Sequence, residues 1–209
     1  MPLLYDPQQA LAELSKADKK LGKAMHRLGP FELDAKAMGN PFQHLARAIT
    51  YQQLSGKAAE TIFGRIKELF PRKHLKPQLV LDLPDEALRG AGLSRNKLAA
   101  FRDLAAKTLD GTVPTLTKLK SLSDDEIIER LVQVKGIGPW TVEMLLIFHL
   151  GRPDVLPSTD LGIRKGYRIL QALDEMPTPK ALLTLTEHWR PWRSVASWYL
   201  YRLADEETT

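Results

Sequence analysis

The chain has no cysteine. Disulfides, thiolate zinc sites, cysteine nucleophiles and cysteine-ligated iron–sulfur clusters are therefore excluded. No uninterrupted apolar run approaches the roughly 18 residues that a bilayer span requires. The opening residues Met1-Pro2-Leu3-Leu4-Tyr5-Asp6 lack the basic run and apolar stretch of a signal peptide. We expect a soluble intracellular protein. The five histidines, His26, His44, His74, His149 and His188, show no ligand spacing such as H-E-x-x-H and are read as incidental. There is no convincing alternation of apolar and polar residues, no repeat at solenoid period, no low-complexity tract and no evident linker. The charge excess is small: 30 Lys and Arg stand against 25 Asp and Glu, a net +5. It suits a polyanionic partner, but many proteins without one share it.

What is present is helical patterning. Pro7 to about Leu28 reads as one amphipathic helix, with Leu11, Leu14, Leu21 and Met25 on one side. Phe42, Leu45, Ala46 and Ile49 form a second stripe. Ile62, Phe63, Ile66 and Leu69 mark a helix over Ala58 to Phe70, stopped by Pro71. Leu98, Phe101, Leu104 and Ala105 mark another over Lys97 to Leu109. Ser123-Asp124-Asp125-Glu126 is a capping box that opens a helix through about Val134. Thr141 to Leu150, Leu161 to Leu173, Lys180 to His188 and Pro191 to Leu203 complete the series. Most of the fourteen prolines and thirteen glycines fall between these segments. The pattern predicts an all-α protein of roughly ten helices, one domain over residues 1–209.

The most informative segment is Leu131-Val132-Gln133-Val134-Lys135-Gly136-Ile137-Gly138-Pro139-Trp140-Thr141-Val142, with Asp160 twenty residues after Trp140. Two glycines, one residue apart, lie between two helices. Such a turn brings bare backbone N–H groups against a phosphate, because glycine adopts positive φ and has no side chain in the way. Pro139 opens the second helix, where its missing N–H costs nothing. Taken alone, the same turn also reads as a tight helix connection with a glycine C-cap. A carboxylate delivered beside a held DNA backbone points to chemistry on DNA.

The wider pattern is more specific. Val132 to Thr141, then Leu150-Gly151-Arg152-Pro153-Asp154-Val155-Leu156-Pro157, then Asp160-Leu161-Gly162-Ile163-Arg164-Lys165-Gly166 together resemble the helix-hairpin-helix DNA glycosylases. The match is to the alkylated-base branch, the 3-methyladenine DNA glycosylase II type. Asn40 to Ser55 is similar to that family's early helix and its glutamine-containing loop. Gly92-Leu93-Ser94-Arg95-Asn96-Lys97 is similar to its central turn, and Trp189-Arg190-Pro191-Trp192-Arg193-Ser194 to its last helix entry. The resemblance spans about residues 40 to 203. It implies a two-lobed helical fold with the active-site cleft between the lobes, the hairpin occupying about residues 124–150. Nothing here has the length or pattern for the amino-terminal β-domain of larger bacterial members, so the compact form is expected.

By this resemblance, Gly136, Ile137, Gly138 and Thr141 hold DNA backbone without reading its sequence. The backbone carbonyls of Val132, Val134 and Ile137 match positions that hold a monovalent cation, Na+ or K+. No other cofactor is implied. Asp160 matches the catalytic aspartate, and it also reads as an ordinary N-cap; the two roles are compatible. An ionised carboxylate there stabilises the positive charge that builds on the sugar as the base leaves. Asp154 is a second acidic candidate, read as a loop residue.

Lyase-type members of the superfamily attack with a lysine just after the hairpin glycines. Here that position is Trp140, and neither Lys135 nor Lys165 matches it, so no Schiff base and no lyase step are expected. Trp140 and Tyr201 match base-pocket positions, although each also reads as core. Met144 and Leu161 stand in the same pocket where bacterial relatives have tyrosines, which leaves the breadth of substrates open. Gln53 or Leu54 matches the wedge that fills the gap left by a rotated base, and also reads as helix-end packing. Trp189, Trp192 and Trp198 are read as packing or anchoring residues.

The implied activity is hydrolysis of the base–deoxyribose bond of alkylated purines such as 3-methyladenine and 7-methylguanine, in base-excision repair. The implied partner is double-stranded DNA with damaged bases, met in the nucleoid or nucleus by a monomer with no membrane association. Two alternatives stand beside it: a related glycosylase for ethenoadenine or deaminated bases, and a non-catalytic helix-hairpin-helix DNA-binding module.

Overall fold

The computed structural model describes residues 3–33 and 38–207. These contain no β-strand, in keeping with the all-α expectation. The helices are α1 (Pro7–Ala17), α2 (Lys19–Leu28), α3 (Pro41–Tyr51), α4 (Gly56–Glu68), α5 (Pro77–Asp82), α6 (Asp85–Gly90) and α7 (Arg95–Leu109). They continue as α8 (Leu116–Ser121), α9 (Asp124–Leu131), α10 (Pro139–Phe148), α11 (Leu161–Gln171), α12 (Pro179–Leu185) and α13 (Arg193–Glu206). Two 3-10 turns, Pro71–Lys73 and Glu187–Trp189, complete the set. No helix among the described residues is long and apolar enough to cross a membrane.

The chain divides into two compact units, Met1–Ala37 with Glu143–Thr209, and Met38–Val142. In the first, α11 packs on α13, and α1 and α2 pack on each other and on α13. Its core includes Leu14, Leu21, Ile163, Tyr167, Trp189, Tyr199 and Leu200. In the second, α7 packs against α3 and α5. There Phe42, Leu45, Ile49, Phe101, Leu104, Ile127 and Leu131 are fully buried or nearly so.

Several boundaries depart from the sequence pattern. The helix expected from Pro7 to Leu28 is two helices, broken at Asp18, whose backbone is extended (φ −136°, ψ 108°). Asp18 Oδ1 accepts the N–H groups of Lys20 and Leu21 at 2.9 and 3.0 Å, capping α2. Its Oδ2 accepts the indole N–H of Trp189 at 3.0 Å. A short acidic side chain competes with helix continuation by bonding the backbone locally, and here a buried tertiary partner reinforces the break. The α9 helix ends at Leu131, short of the expected Val134, because the chain turns into the hairpin. The expected helix to His188 stops at Leu185, and a 3-10 turn follows. The helices α5, α6 and α8, of six residues each, are too short to display a helical period.

Candidate active site

The hairpin begins with the capping box. Ser123 Oγ accepts the Glu126 N–H at 3.3 Å, and the Glu126 carboxylate accepts the Ser123 N–H at 2.8 Å. After α9, the N–H of Val134 reaches the Leu131 carbonyl at 3.1 Å and the N–H of Ile137 reaches the Val134 carbonyl at 3.0 Å. Gly136 takes φ +81°, a conformation that side chains with a β-carbon rarely adopt. Ile137 is buried and anchors the turn, while Gly136 is exposed. The Gly138 carbonyl accepts the N–H groups of Thr141 and Val142, which starts α10 with Pro139 in its first turn. Trp140 leaves 45 % of its surface exposed. A residue packed as core is covered, so the core alternative for Trp140 fails.

Two further segments of the same unit are tied to this hairpin. The chain after α3 makes a type II turn over Tyr51–Leu54, closed by the Leu54 N–H on the Tyr51 carbonyl at 3.4 Å. Gln52 sits at φ −55°, ψ 131°, and Gln53 follows at φ +56°. This corner position normally favours glycine or asparagine. Gln53 and Leu54 are both exposed, so neither is buried as helix-end packing. The Gln52 side-chain amide donates to the Gly136 carbonyl at 2.8 Å. Lys97, in the first turn of α7, donates to the carbonyls of Thr50 and Gln52, each at 2.8 Å. Desolvation holds the Lys97 ammonium below its ordinary pKa.

The other unit carries the acidic residue. Asp160 precedes α11 with extended backbone, and its Oδ1 accepts the Ile163 N–H at 3.0 Å. It is therefore an N-cap, as expected. Gly162 separates it from Tyr201: a β-carbon there would stand 3.1 Å from Asp160 Oδ1 and 3.1 Å from the tyrosine ring. The Tyr201 hydroxyl donates to the Met144 sulfur at 3.7 Å. Asp160 and Tyr201 thus flank Gly162, and Tyr201 reaches on to Met144. Leu161, 66 % exposed, faces solvent.

Sequence reasoning missed Glu143. One carboxyl oxygen, Oε2, is buried with no hydrogen-bond partner. Burial first, and then the negative charge of Asp160, push its pKa up to about 7. The signal was there: Glu143 is the sole charged residue of α10, whose remaining residues are otherwise nearly all apolar. Asp154, in contrast, is held by Arg193 Nε at 2.6 Å and by Arg190, an ion-paired loop residue. Trp189 is fully buried in the core, and the Trp192 indole donates to Glu13 at 2.6 Å. Among the described residues, no group of three or more His, Asp or Glu stands together to hold a metal ion.

One unit thus presents an exposed glycine turn followed by an exposed aromatic, and the other a helix-capping carboxylate across a glycine from a phenol. Comparison with known proteins agrees with that chemistry. Residues 46–191 match the family model of the HhH-GPD superfamily base excision DNA repair proteins. The chain is 44 % identical over 167 residues to the DNA-3-methyladenine glycosylase 1 of Schizosaccharomyces pombe, covering 78 % of this chain and 72 % of that one. It is similar in structure to a 3-methyladenine DNA glycosylase of Schizosaccharomyces pombe in complex with abasic DNA, with a TM-score of 0.80 and 39 % identity over 93 % of this chain and 95 % of that one. A DNA-3-methyladenine glycosidase of Bacillus halodurans gives a TM-score of 0.88 at 33 % identity, covering 100 % of this chain and 94 % of that one.

Proposed function

The chain belongs to the HhH-GPD superfamily of base excision DNA repair proteins, and on that premise we propose that it is a monofunctional DNA glycosylase. Its substrates are alkylated purines in double-stranded DNA, of the 3-methyladenine and 7-methylguanine type. The observation that carries the reading is the Asp160 carboxylate, held by Ile163 N–H at the start of α11 and set across Gly162 from Tyr201.

The reaction breaks the bond between the sugar C1′ and the base nitrogen. As the base leaves with the bonding pair, positive charge develops on the sugar, and the fixed negative charge of Asp160 stabilises it. Water then adds its oxygen to C1′ and gives up a proton, and the products are the free base and an intact abasic site. N3- or N7-alkylation leaves the purine cationic, which weakens the bond before the enzyme acts. The exposed indole of Trp140 offers an electron-rich face to such a ring. Tyr201, Met144 and Leu161 are assigned to the base pocket, and Gln53 and Leu54 to the wedge. Gly136, Ile137, Gly138 and Thr141 are assigned to the DNA backbone.

A lysine nucleophile has no counterpart here, since Trp140 holds that position. No covalent link to the sugar forms, and lyase activity is absent. The carbonyls of Val132, Val134 and Ile137 are neutral, hard donors suited to Na+ or K+. The Val134 oxygen retains a lone pair after accepting the Ile137 N–H. A cation bound there supplies positive charge beside a phosphate.

Base release from methylated duplex DNA, with the products resolved by chromatography, tests the reading. Free 3-methyladenine and 7-methylguanine are the expected products. Binding without release of any base contradicts it and favours a DNA-binding module. Release from ethenoadenine or hypoxanthine duplexes alone moves the substrate class.

A further inference from the structure

One face of α7 touches both segments assigned to DNA. Lys97, Ala100, Asp103 and Lys107 follow one another at spacings of three, three and four residues, so they share that face. At one end, the Lys97 ammonium bonds the carbonyls of Thr50 and Gln52 on either side of Tyr51. Those carbonyls lie at the end of α3, where helical partners run out and a cation is favoured. In the middle, a β-carbon on Gly136 would stand 3.3 Å from Ala100 Cβ, so the hairpin backbone lies against the helix. At the other end, Asp103 Oδ2 accepts the Lys135 N–H at 2.6 Å. Lys107 bridges Asp103, at 2.7 Å, to the Gln133 carbonyl, at 2.6 Å. The Gln52–Gly136 bond closes the circuit.

We propose that this face of α7 is a positioning surface that fixes the Gln53–Leu54 turn in register with the glycine hairpin. Lys97 sets the turn, and Asp103 with Lys107 sets the hairpin. The span from residue 97 to residue 107 is about 15 Å along a rigid helix. Gln53 takes a left-handed conformation that an isolated chain would populate poorly, and it persists where surrounding bonds over-determine it. Lys97 supplies two such bonds. A wedge already formed avoids the ordering cost at the moment DNA is engaged. The inference rests on the assignment of these two segments to DNA, and it is independent of whether a base is released.

Binding of the full chain to two duplexes, measured by fluorescence anisotropy, tests it. One duplex is intact and the other carries a single tetrahydrofuran abasic analogue, the gap a wedge fills. Lys97→Met is expected to lose about tenfold of affinity for the gapped duplex, the size of a lost charged hydrogen bond, with the intact duplex bound as before. Lys97→Arg, whose guanidinium also spans two carbonyls, restores most of the preference. Asp103→Asn is expected to weaken both duplexes alike, about fivefold, because it loosens the backbone grip. Equal weakening of both duplexes by Lys97→Met, or no change in either, overturns the proposal. Failure of the glycosylase reading appears separately, as absence of base release by the wild-type chain.

Discussion

Gly166 lies so close to Leu200 that a β-carbon on it would stand 2.1 Å from the leucine carbonyl oxygen. That contact lets α11 and α13 approach backbone to backbone. It fixes the helix that Asp160 caps against the helix that carries Tyr201. Gly166→Ala must push the two helices apart. Overpacking of this kind costs about 1–3 kcal/mol, and the obstacle here is backbone, which cannot swing aside. Thermal unfolding should show a fall in Tm of about 2–12 °C. An unchanged Tm would mean the helices shift apart freely.

Glu143 has a pH signature. Its carboxyl titrates at about 7 in the folded protein, against an ordinary 4.5, because of burial and then the charge of Asp160. The folded state therefore keeps a proton that the unfolded chain loses above about 4.5. Stability falls as pH rises from about 4.5 to about 7 and then levels off. Glu143→Gln removes the titration. The variant should gain Tm relative to wild type at pH 8 and gain little at pH 4.5. Equal differences at both values would show that the carboxyl is not held protonated by the fold.

Gly136 tests the hairpin. Its φ of +81° strains any other residue, and Ala100 Cβ stands 3.3 Å from where the new carbon would go. Gly136→Val should weaken binding to intact duplex by about tenfold or more and flatten the expected fall of affinity with salt. Binding within about twofold of wild type would remove the hairpin from the interface.

The lyase question has its own assay. Borohydride reduction traps a Schiff base as a stable protein–DNA adduct. With damaged duplex and this chain, no adduct should appear on a denaturing gel. Engineering Trp140→Lys supplies an amine at the position where lyase-type relatives carry one, and an adduct from that variant alone would strengthen the assignment.

Local signals in the sequence were reliable where a single segment decides the outcome. The Ser123 capping box, the positive-φ glycine at 136 and the Asp160 cap are all written in three or four neighbouring residues. Asp18 shows where such reading fails. Its apolar neighbours keep a helical period across the break, and the decisive partner, the Trp189 indole, is 171 residues away. Glu143 was hidden for a related reason, since an acid on an apolar helix reads as a solvated exception until its burial is known. The brackets from Lys97 to Thr50 and from Asp103 to Lys135 join residues 47 and 32 apart. No periodicity announces them. Family resemblance picks out the Gln53–Leu54 segment and the hairpin separately, and it is the fold that rests both on one helix face.

Asp160 remains the decisive residue, and asparagine is the decisive replacement. Asn caps a helix about as well as Asp, so Asp160→Asn preserves the bond to Ile163 N–H and removes only the charge. Single-turnover release of 7-methylguanine from duplex DNA should fall about a thousandfold, with duplex affinity within about threefold of wild type. Release by the variant within about tenfold of wild type would contradict the central claim that a fixed negative charge at residue 160 drives the cleavage.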